Sequence, residues 1–293
     1  MKRNPLPAKN LFFAYLELTK PKITIMILVT TALGYYVGSM GNLNHANFYL
    51  MMLGTGIISG SAATLNNYFE RDFDKIMDRT KSRPIPILMI KPFDALVFAL
   101  LQFVIGLTLL ILYSNSITVL LAICTVFLYV FIYTPLKRIT WLNTTVGAIP
   151  GALPPLGGWA AATGNLSVGG WILFAILFIW QHPHFYAIAL MCREDYKKAG
   201  FKMLPALENE SKRTNRQIVW HAFILIPVSL FLNIIGLTGE IYFYGSILIG
   251  LIYLIGCLPL VKSYSIKNAK LLLGISVIYL PSLFLLILLD TNF

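Results

Sequence analysis

The sequence predicts an all-α integral membrane protein of nine transmembrane helices, with its N-terminus cytoplasmic and its C-terminus outside. Three observations predict it. The first is composition. Of 293 residues, 57% are hydrophobic and 12% charged, and mean hydropathy is +0.74. A soluble domain is about 45–50% apolar and about 25% charged, so a water-soluble globule and a disordered chain are both excluded. The second is a series of apolar runs at roughly 23–40, 48–65, 93–113, 117–134, 144–162, 169–191, 218–237, 241–261 and 271–289. Most reach the ~17–25 residues that a bilayer crossing needs. The third is the placement of positive charge. All 23 Lys and Arg fall in alternate connections: five in 1–22, six in 66–92, two in 135–143, seven in 192–217 and three in 262–270. The intervening segments 41–47, 114–116, 163–168 and 238–240 and the tail 290–293 hold none. The positive-inside rule turns that alternation into an orientation and an odd number of helices.

The elements follow in order. Residues 1–22 contain Pro5, Pro7 and Pro21 and end in Lys20 and Lys22, which reads as a cytoplasmic segment rather than a cleavable signal. Helix 2 includes the Gly/Ser-rich stretch 54–63, the least hydrophobic of the spans. Helix 5 carries Gly147, Gly151, Gly157 and Gly158 with Pro150, Pro154 and Pro155, a small-faced pattern that permits close helix packing or a groove for a flat ligand. Residues 1–293 are read as one membrane-embedded domain. Its two long cytoplasmic loops, about 66–92 and 192–217, follow helices 2 and 6, four helices apart. That points to a four-helix unit used twice, with helix 9 added. Cys124, Cys192 and Cys257 lack metal or disulfide spacing. The net charge of +11 lies between apolar runs rather than on one soluble face, which argues for topology and anionic ligands rather than nucleic acid.

Chemistry concentrates in the two long loops. If helix 2 continues past Asn66, then Asn66, Glu70, Asp74 and Asp78 stand at i, i+4, i+8 and i+12 on one stripe. Arg71, Lys75 and Arg79 form a second stripe one residue on. Like charges four apart repel by about 0.2–0.5 kcal/mol, so a stretch needing only solubility would mix signs along each stripe. Stacked carboxylates beside stacked cations suit a divalent cation bridged to a polyanion: Mg²⁺ takes one or two carboxylates plus phosphate oxygens, and Arg and Lys hold the remaining phosphate charge. The plainer alternative is a solvated helix end that anchors topology. In helix 6, Trp180-Gln181-His182-Pro183-His184-Phe185-Tyr186 places a proline and two imidazoles inside an apolar span, where ionisable groups mark function. His184 and Asp195 share a face if that helix runs on. A structural role for the two histidines remains the competing reading. His45 and His221 belong to no constellation.

These residues resemble the UbiA superfamily of intramembrane prenyltransferases, within it the branch that farnesylates protohaem IX. The resemblance rests on Thr19-Lys20-Pro21-Lys22, Asn66-Asn67-Tyr68 with Arg71-Asp72-Phe73-Asp74, Met77-Asp78-Arg79-Thr80, Tyr133-Thr134-Pro135-Leu136-Lys137-Arg138, Pro183-His184-Phe185, Glu194-Asp195-Tyr196-Lys197-Lys198-Ala199-Gly200 and Tyr279-Leu280-Pro281. It spans almost the whole chain. Glu70 stands where the family usually has Asp, and the second motif has Asp195 as its main acid.

The resemblance implies transfer of a farnesyl group from farnesyl diphosphate to the 2-vinyl group of haem b, with hydration, giving haem O. It implies Mg²⁺ on Asn66, Glu70, Asp74 and Asp195. Arg71, Lys75, Arg79, Lys81, Arg83 and Lys137 would bind diphosphate, and His182, His184 and Tyr186 would contact the acceptor. It further implies a multi-pass protein of a prokaryotic cell membrane, in contact with membrane lipid and associated with haem A synthase or terminal oxidase assembly. A UbiA-type enzyme prenylating a quinone precursor is the alternative. An anion transporter and an assembly scaffold are the readings outside that class.

Overall fold

The computed structural model describes residues 10–42 and 45–291. The first nine residues of the N-terminal segment and the side chain of His45 lie outside the described residues. Nine helices of 18 residues or more run through the described part: α1 Pro21–Gly38, α2 His45–Asp74, α3 Pro92–Tyr113, α4 from Ser116 to Leu136, α5 Asn143–Thr163, α6 Val168–Met191, α7 Lys212–Ile234, α8 Glu240–Lys262 and α9 Ile266–Asp290. Eight of them, all but α5, are long and apolar enough to cross a membrane. The exception has Pro150, Pro154 and Pro155 inside its 21 residues. Among the described residues there is no strand, only an isolated bridge between Thr238 and Thr291. The protein is an all-α multi-pass membrane protein.

Packing explains the small residues of α5. A Cβ on Gly34 would lie 1.9 Å from the Pro155 carbonyl oxygen, and one on Gly158 would lie 1.9 Å from that of Thr31. Helices α1 and α5 therefore touch backbone to backbone, the contact that small residues permit between membrane helices. Around this seam lie two apolar cores. The larger joins α6 to α9 through Leu173, Tyr186, Leu225, Tyr253, Leu272 and Leu283, with α1 and α5 also contributing. The other joins α2, α3 and α4 through Met51, Ile58, Ala99, Leu110 and Val126. Large apolar side chains such as Val104, Ile111, Ile241, Leu248 and Ile278 point outward, as lipid-facing positions do. Polar groups go inward instead: Ser61, Thr64, Asn66, Asn67, Glu70 and Asp74 of α2 are all buried.

Two expected helix continuations are corrected. Helix α2 ends at Asp74; there Thr80 turns back and its hydroxyl donates to the Asp74 carbonyl at 3.1 Å. Asp78 leaves the stripe and sits exposed between Lys198 at 2.8 Å and Lys81 at 2.6 Å. Helix α6 stops at Met191, because Cys192 (φ −102°, ψ 20°) leaves helical geometry, and a separate short helix Arg193–Lys198 follows. His184 and Asp195 thus do not share a continuous face. Helix α7 begins at Lys212, six residues before its apolar run, because the Glu208 carboxylate accepts the amides of Arg213 and Thr214 at 3.2 and 3.0 Å, satisfying otherwise orphaned donors. A short helix Leu11–Leu18, capped by Asn10, is apolar but at 8 residues too short to cross a bilayer. Helix α4 widens into a π turn over Leu128–Tyr133 before ending as Thr134–Leu136.

Candidate active site

The loops after α2 and α6 meet at one end of the bundle. Met77, Ala189, Tyr196, Ala199, Phe201, Met203 and Ala206 form one buried apolar cluster with Phe73 against it. The Asp195 carboxylate accepts the backbone amides of Asp78 at 3.2 Å and Arg79 at 3.1 Å, and Lys198 pairs with Asp78. The connection after α4 joins them where the Lys202 amide donates to the Lys137 carbonyl at 2.6 Å. The short helix Leu11–Leu18 closes the same end by burying Ala14 and Leu18 against Ile85, Ile90 and Ala95. Lys20 follows it in the left-handed region (φ 48°), with Pro21 opening α1.

Beneath this cap, one face of α2 carries a buried row of three polar residues, each held by a different element. Lys20 Nζ donates to Asn66 Oδ1 at 2.7 Å, and Asn66 Nδ2 donates to Thr134 Oγ1 at 3.1 Å. Lys137 Nζ meets Glu70 Oε1 at 2.7 Å. Arg83 reaches both Asp74 oxygens, at 2.9 and 2.8 Å. Glu70 is 6% exposed, Asp74 0% and Lys137 8%. Three cations therefore face two carboxylates, which leaves a positive excess in a site largely withdrawn from water. Burial, and then the nearby Arg83 charge, push the Lys20 ammonium down to about 7. Burial acts on Lys137 in the same direction, but Glu70 and the Tyr133 and Tyr129 phenols outweigh it and hold its pKa above the usual lysine value.

The residues expected from the sequence are distributed unequally about this row. Asn66, Glu70, Asp74, Arg83 and Lys137 are in it. Arg71 stands off to the side, donating to the Tyr68 carbonyl and lying 3.7 Å from Asp72. Lys75 pairs with Asp72 at 2.9 Å and Lys81 with Asp78, while Arg79 lies 6.0 Å from the Tyr196 ring centroid. Asp195 does not join Glu70 and Asp74, since no group of three or more His, Cys, Asp and Glu close enough for a metal occurs among the described residues. Lys20 and Thr134 are in the row, although neither is marked as a site residue by the sequence spacing. Their signal is faint: each precedes a proline at the end of a span.

The residues expected to contact the acceptor diverge. His182 is buried, with Nδ1 2.8 Å from the Phe178 carbonyl and Nε2 3.3 Å from Thr145 Oγ1. Its ring stacks on His221 at 4.0 Å and 10°, a partner 39 positions away that spacing cannot reveal. His184 faces the other way, bonded to Ser276 Oγ at 2.8 Å and stacked on Trp180. Tyr186 is buried in the larger core.

Residues 27–285 match the model of the UbiA prenyltransferase family. The chain belongs to that family. Among curated relatives of this UbiA chain, the protoheme IX farnesyltransferase of Solibacter usitatus (strain Ellin6076) is 42% identical over 94% of this chain and 98% of that protein. The protein of the same name from Trichodesmium erythraeum (strain IMS101) is 39% identical over 96% and 87%. Among solved structures, a digeranylgeranylglyceryl phosphate synthase superposes with a TM-score of 0.80 at 18% identity, covering 95% of this chain and 98% of its own. A UbiA homolog from Archaeoglobus fulgidus bound to GPP and Mg²⁺ superposes with a TM-score of 0.69 at 17% identity, over 94% and 99%. At that identity the likeness concerns the fold. This UbiA chain is a prenyltransferase. Its own donor set fits a hard divalent cation: two buried carboxylates and an amide oxygen stand on successive turns of α2, all oxygen donors of the kind Mg²⁺ takes.

Proposed function

We propose that the chain transfers the farnesyl group of farnesyl diphosphate to the 2-vinyl group of haem b, adding water to give haem O and diphosphate. The buried row on α2, with its excess of positive charge, is the observation that carries this reading. A polyphosphate is the ligand that such a row compensates. The names of the relatives, which align over nearly the whole chain, supply the acceptor.

Asn66, Glu70 and Asp74 would hold Mg²⁺, which supplies a Lewis acid to the diphosphate oxygens. Lys20, Arg83 and Lys137 would exchange their present partners for phosphate oxygens as the allylic C–O bond breaks. Cations already in place lower the barrier where negative charge develops on the leaving group. The farnesyl C1 then bonds to the terminal vinyl carbon, water oxygen adds to the inner carbon, and one proton is released. The apolar walls of the bundle exclude other water from the allylic cation. Asp195 positions the loop through the Asp78 and Arg79 amides, with Arg71, Lys75, Arg79 and Lys81 forming an outer basic rim that collects the anion. The acceptor contact is assigned to the segment of α6 that carries His182, His184 and Tyr186, whose side chains face different neighbours. We further read residues 1–293 as a single domain, α5 as the ninth crossing, the loop end as cytoplasmic and the location as a prokaryotic cell membrane. Delivery of haem O to haem A synthase or to terminal oxidase assembly follows from the product.

The test is product identification. Purified protein incubated with haem b, farnesyl diphosphate and Mg²⁺ is expected to yield a species of haem O mass. Absence of that species, together with prenylation of a hydroxybenzoate or naphthoate, would replace haem by a quinone precursor.

A further inference from the structure

We propose that a groove on the outer surface, between the start of α7 and the end of α8, is a binding site for an anionic phospholipid. The cavity there measures about 440 Å³ and is lined by Lys212, Asn215, Arg216, Val219, Trp220 and Val261. That volume lies within the roughly 300–1,000 Å³ of small-molecule sites. Its lining is graded. Lys212, Arg216 and Trp220 recur every four residues along α7 and so lie one above another on the same side. Cations occupy the loop end, an indole comes one turn deeper, and Val219 and Val261 supply apolar wall.

Neither cation is consumed inside the protein. Among the described residues Lys212 has only an exposed partner, Glu210 at 2.5 Å. Among the described residues the Arg216 guanidinium has no hydrogen-bond or ion-pair partner, and no acid lines the groove. Trp220 is 57% exposed, with its ring 6.1 Å from that of the equally outward Phe223. No hydrogen bond or ion pair joins Lys212 or Arg216 to the α2 row among the described residues, so the groove is separate from the active site. It has the two halves of a phospholipid's chemistry: basic groups at headgroup depth and an aromatic at the interface, continued by apolar wall. Two cations against one exposed acid favour an anionic headgroup over a zwitterionic one. The apolar lower half would be wasted on a soluble phosphate.

The experiment uses the full chain in vesicles of equal phosphatidylglycerol and phosphatidylcholine, extracted gently and weighed with its retained lipid by native mass spectrometry. Two basic side chains near an anionic surface correspond to a preference for phosphatidylglycerol of about thirtyfold. The preference should fall to near parity in the Lys212→Ala/Arg216→Ala variant, whose substituted side chains are exposed and whose melting temperature in phosphatidylcholine should not change. Trp220→Ala should reduce retention of both lipids alike. Glycerol phosphate, which has the phosphate but no acyl chain, should not compete. Persistence of the full preference in the double variant, or displacement of the lipid by equimolar glycerol phosphate, would overturn the proposal.

Discussion

Replacing Lys137 by Met leaves the Glu70 carboxylate buried beside an apolar side chain of similar length. At 2.7 Å and an effective dielectric constant of about 20, the lost attraction is about 6 kcal/mol. Much of it offsets the cost of removing both ions from water, and removing one partner of a buried pair typically costs about 3–5 kcal/mol. Lys20 and Arg83 also lie near Glu70 and still offset part of its charge, so the lower half of that range is expected. The assay is a double-mutant cycle on purified protein in detergent, with Lys137→Met, Glu70→Gln and the combined variant followed by thermal unfolding. The single Lys137 variant should lose about 3 kcal/mol, and the pair should recover most of it because neither member is then left as a charge without its partner. A single variant within about 0.5 kcal/mol of the parent, the range of ordinary surface changes, would refute the claim that this pair is buried and mutually dependent.

Four further outcomes are expected. Asp74→Asn should abolish turnover while leaving the protein folded, and turnover retained at saturating Mg²⁺ would remove Asp74 from the metal site. Arg83→Ala should raise the apparent KM for farnesyl diphosphate at least tenfold more than Arg71→Ala does, because only Arg83 reaches the α2 row; equal effects would place the diphosphate on the outer rim. Lys20 is held at about 7, so above that pH it is neutral in the free protein, and an arriving anion should restore its proton. Binding should therefore take up protons and weaken by up to about tenfold per pH unit above 7, as calorimetry in buffers of different ionisation enthalpy can read; pH-independent affinity between 7 and 9 counters this, and Lys20→Met should flatten the profile. Gly158→Ala should destabilise by about 1–3 kcal/mol or more through overpacking, since its Cβ would meet the Thr31 carbonyl; thermal unfolding checks it, and an unchanged midpoint would deny the close α1–α5 seam.

The membrane class and the positions of the long helices were legible because hydropathy and charge alternation are properties of consecutive residues. So was the row Asn66, Glu70 and Asp74, since four-residue spacing on a helix does not depend on the remainder of the fold. What failed was direction. Arg71 follows Glu70 by one residue, about 100° round the helix, and that rotation turns it toward Tyr68 and Asp72 instead of the interior, while Lys75 lies just past the end of α2 and pairs with Asp72. Lys20 could not be assigned to the row because its place depends on a short helix docking through Ala14 and Leu18 onto the loop after α2. Asp195 was identified as important, but its engagement with the Asp78 and Arg79 amides arises from where α6 ends, which one chain's local pattern does not fix. His221 became visible only through its stack on His182.

The wide turn at Leu128–Tyr133 has a consequence for heredity. It accommodates a residue that a regular helix would not need, and it sets the rotation at which Thr134 and Lys137 emerge. Loss of one codon within it would let the segment relax into ordinary α geometry, with better-formed backbone bonds. A deletion in the regular turns before it would instead swing Thr134 and Lys137 by about 100°, away from Asn66 and Glu70, whereas the wide turn gives up its extra residue with their aim kept. Over generations this stretch should therefore tolerate the loss of one residue, while the regular turns of α4 keep their length.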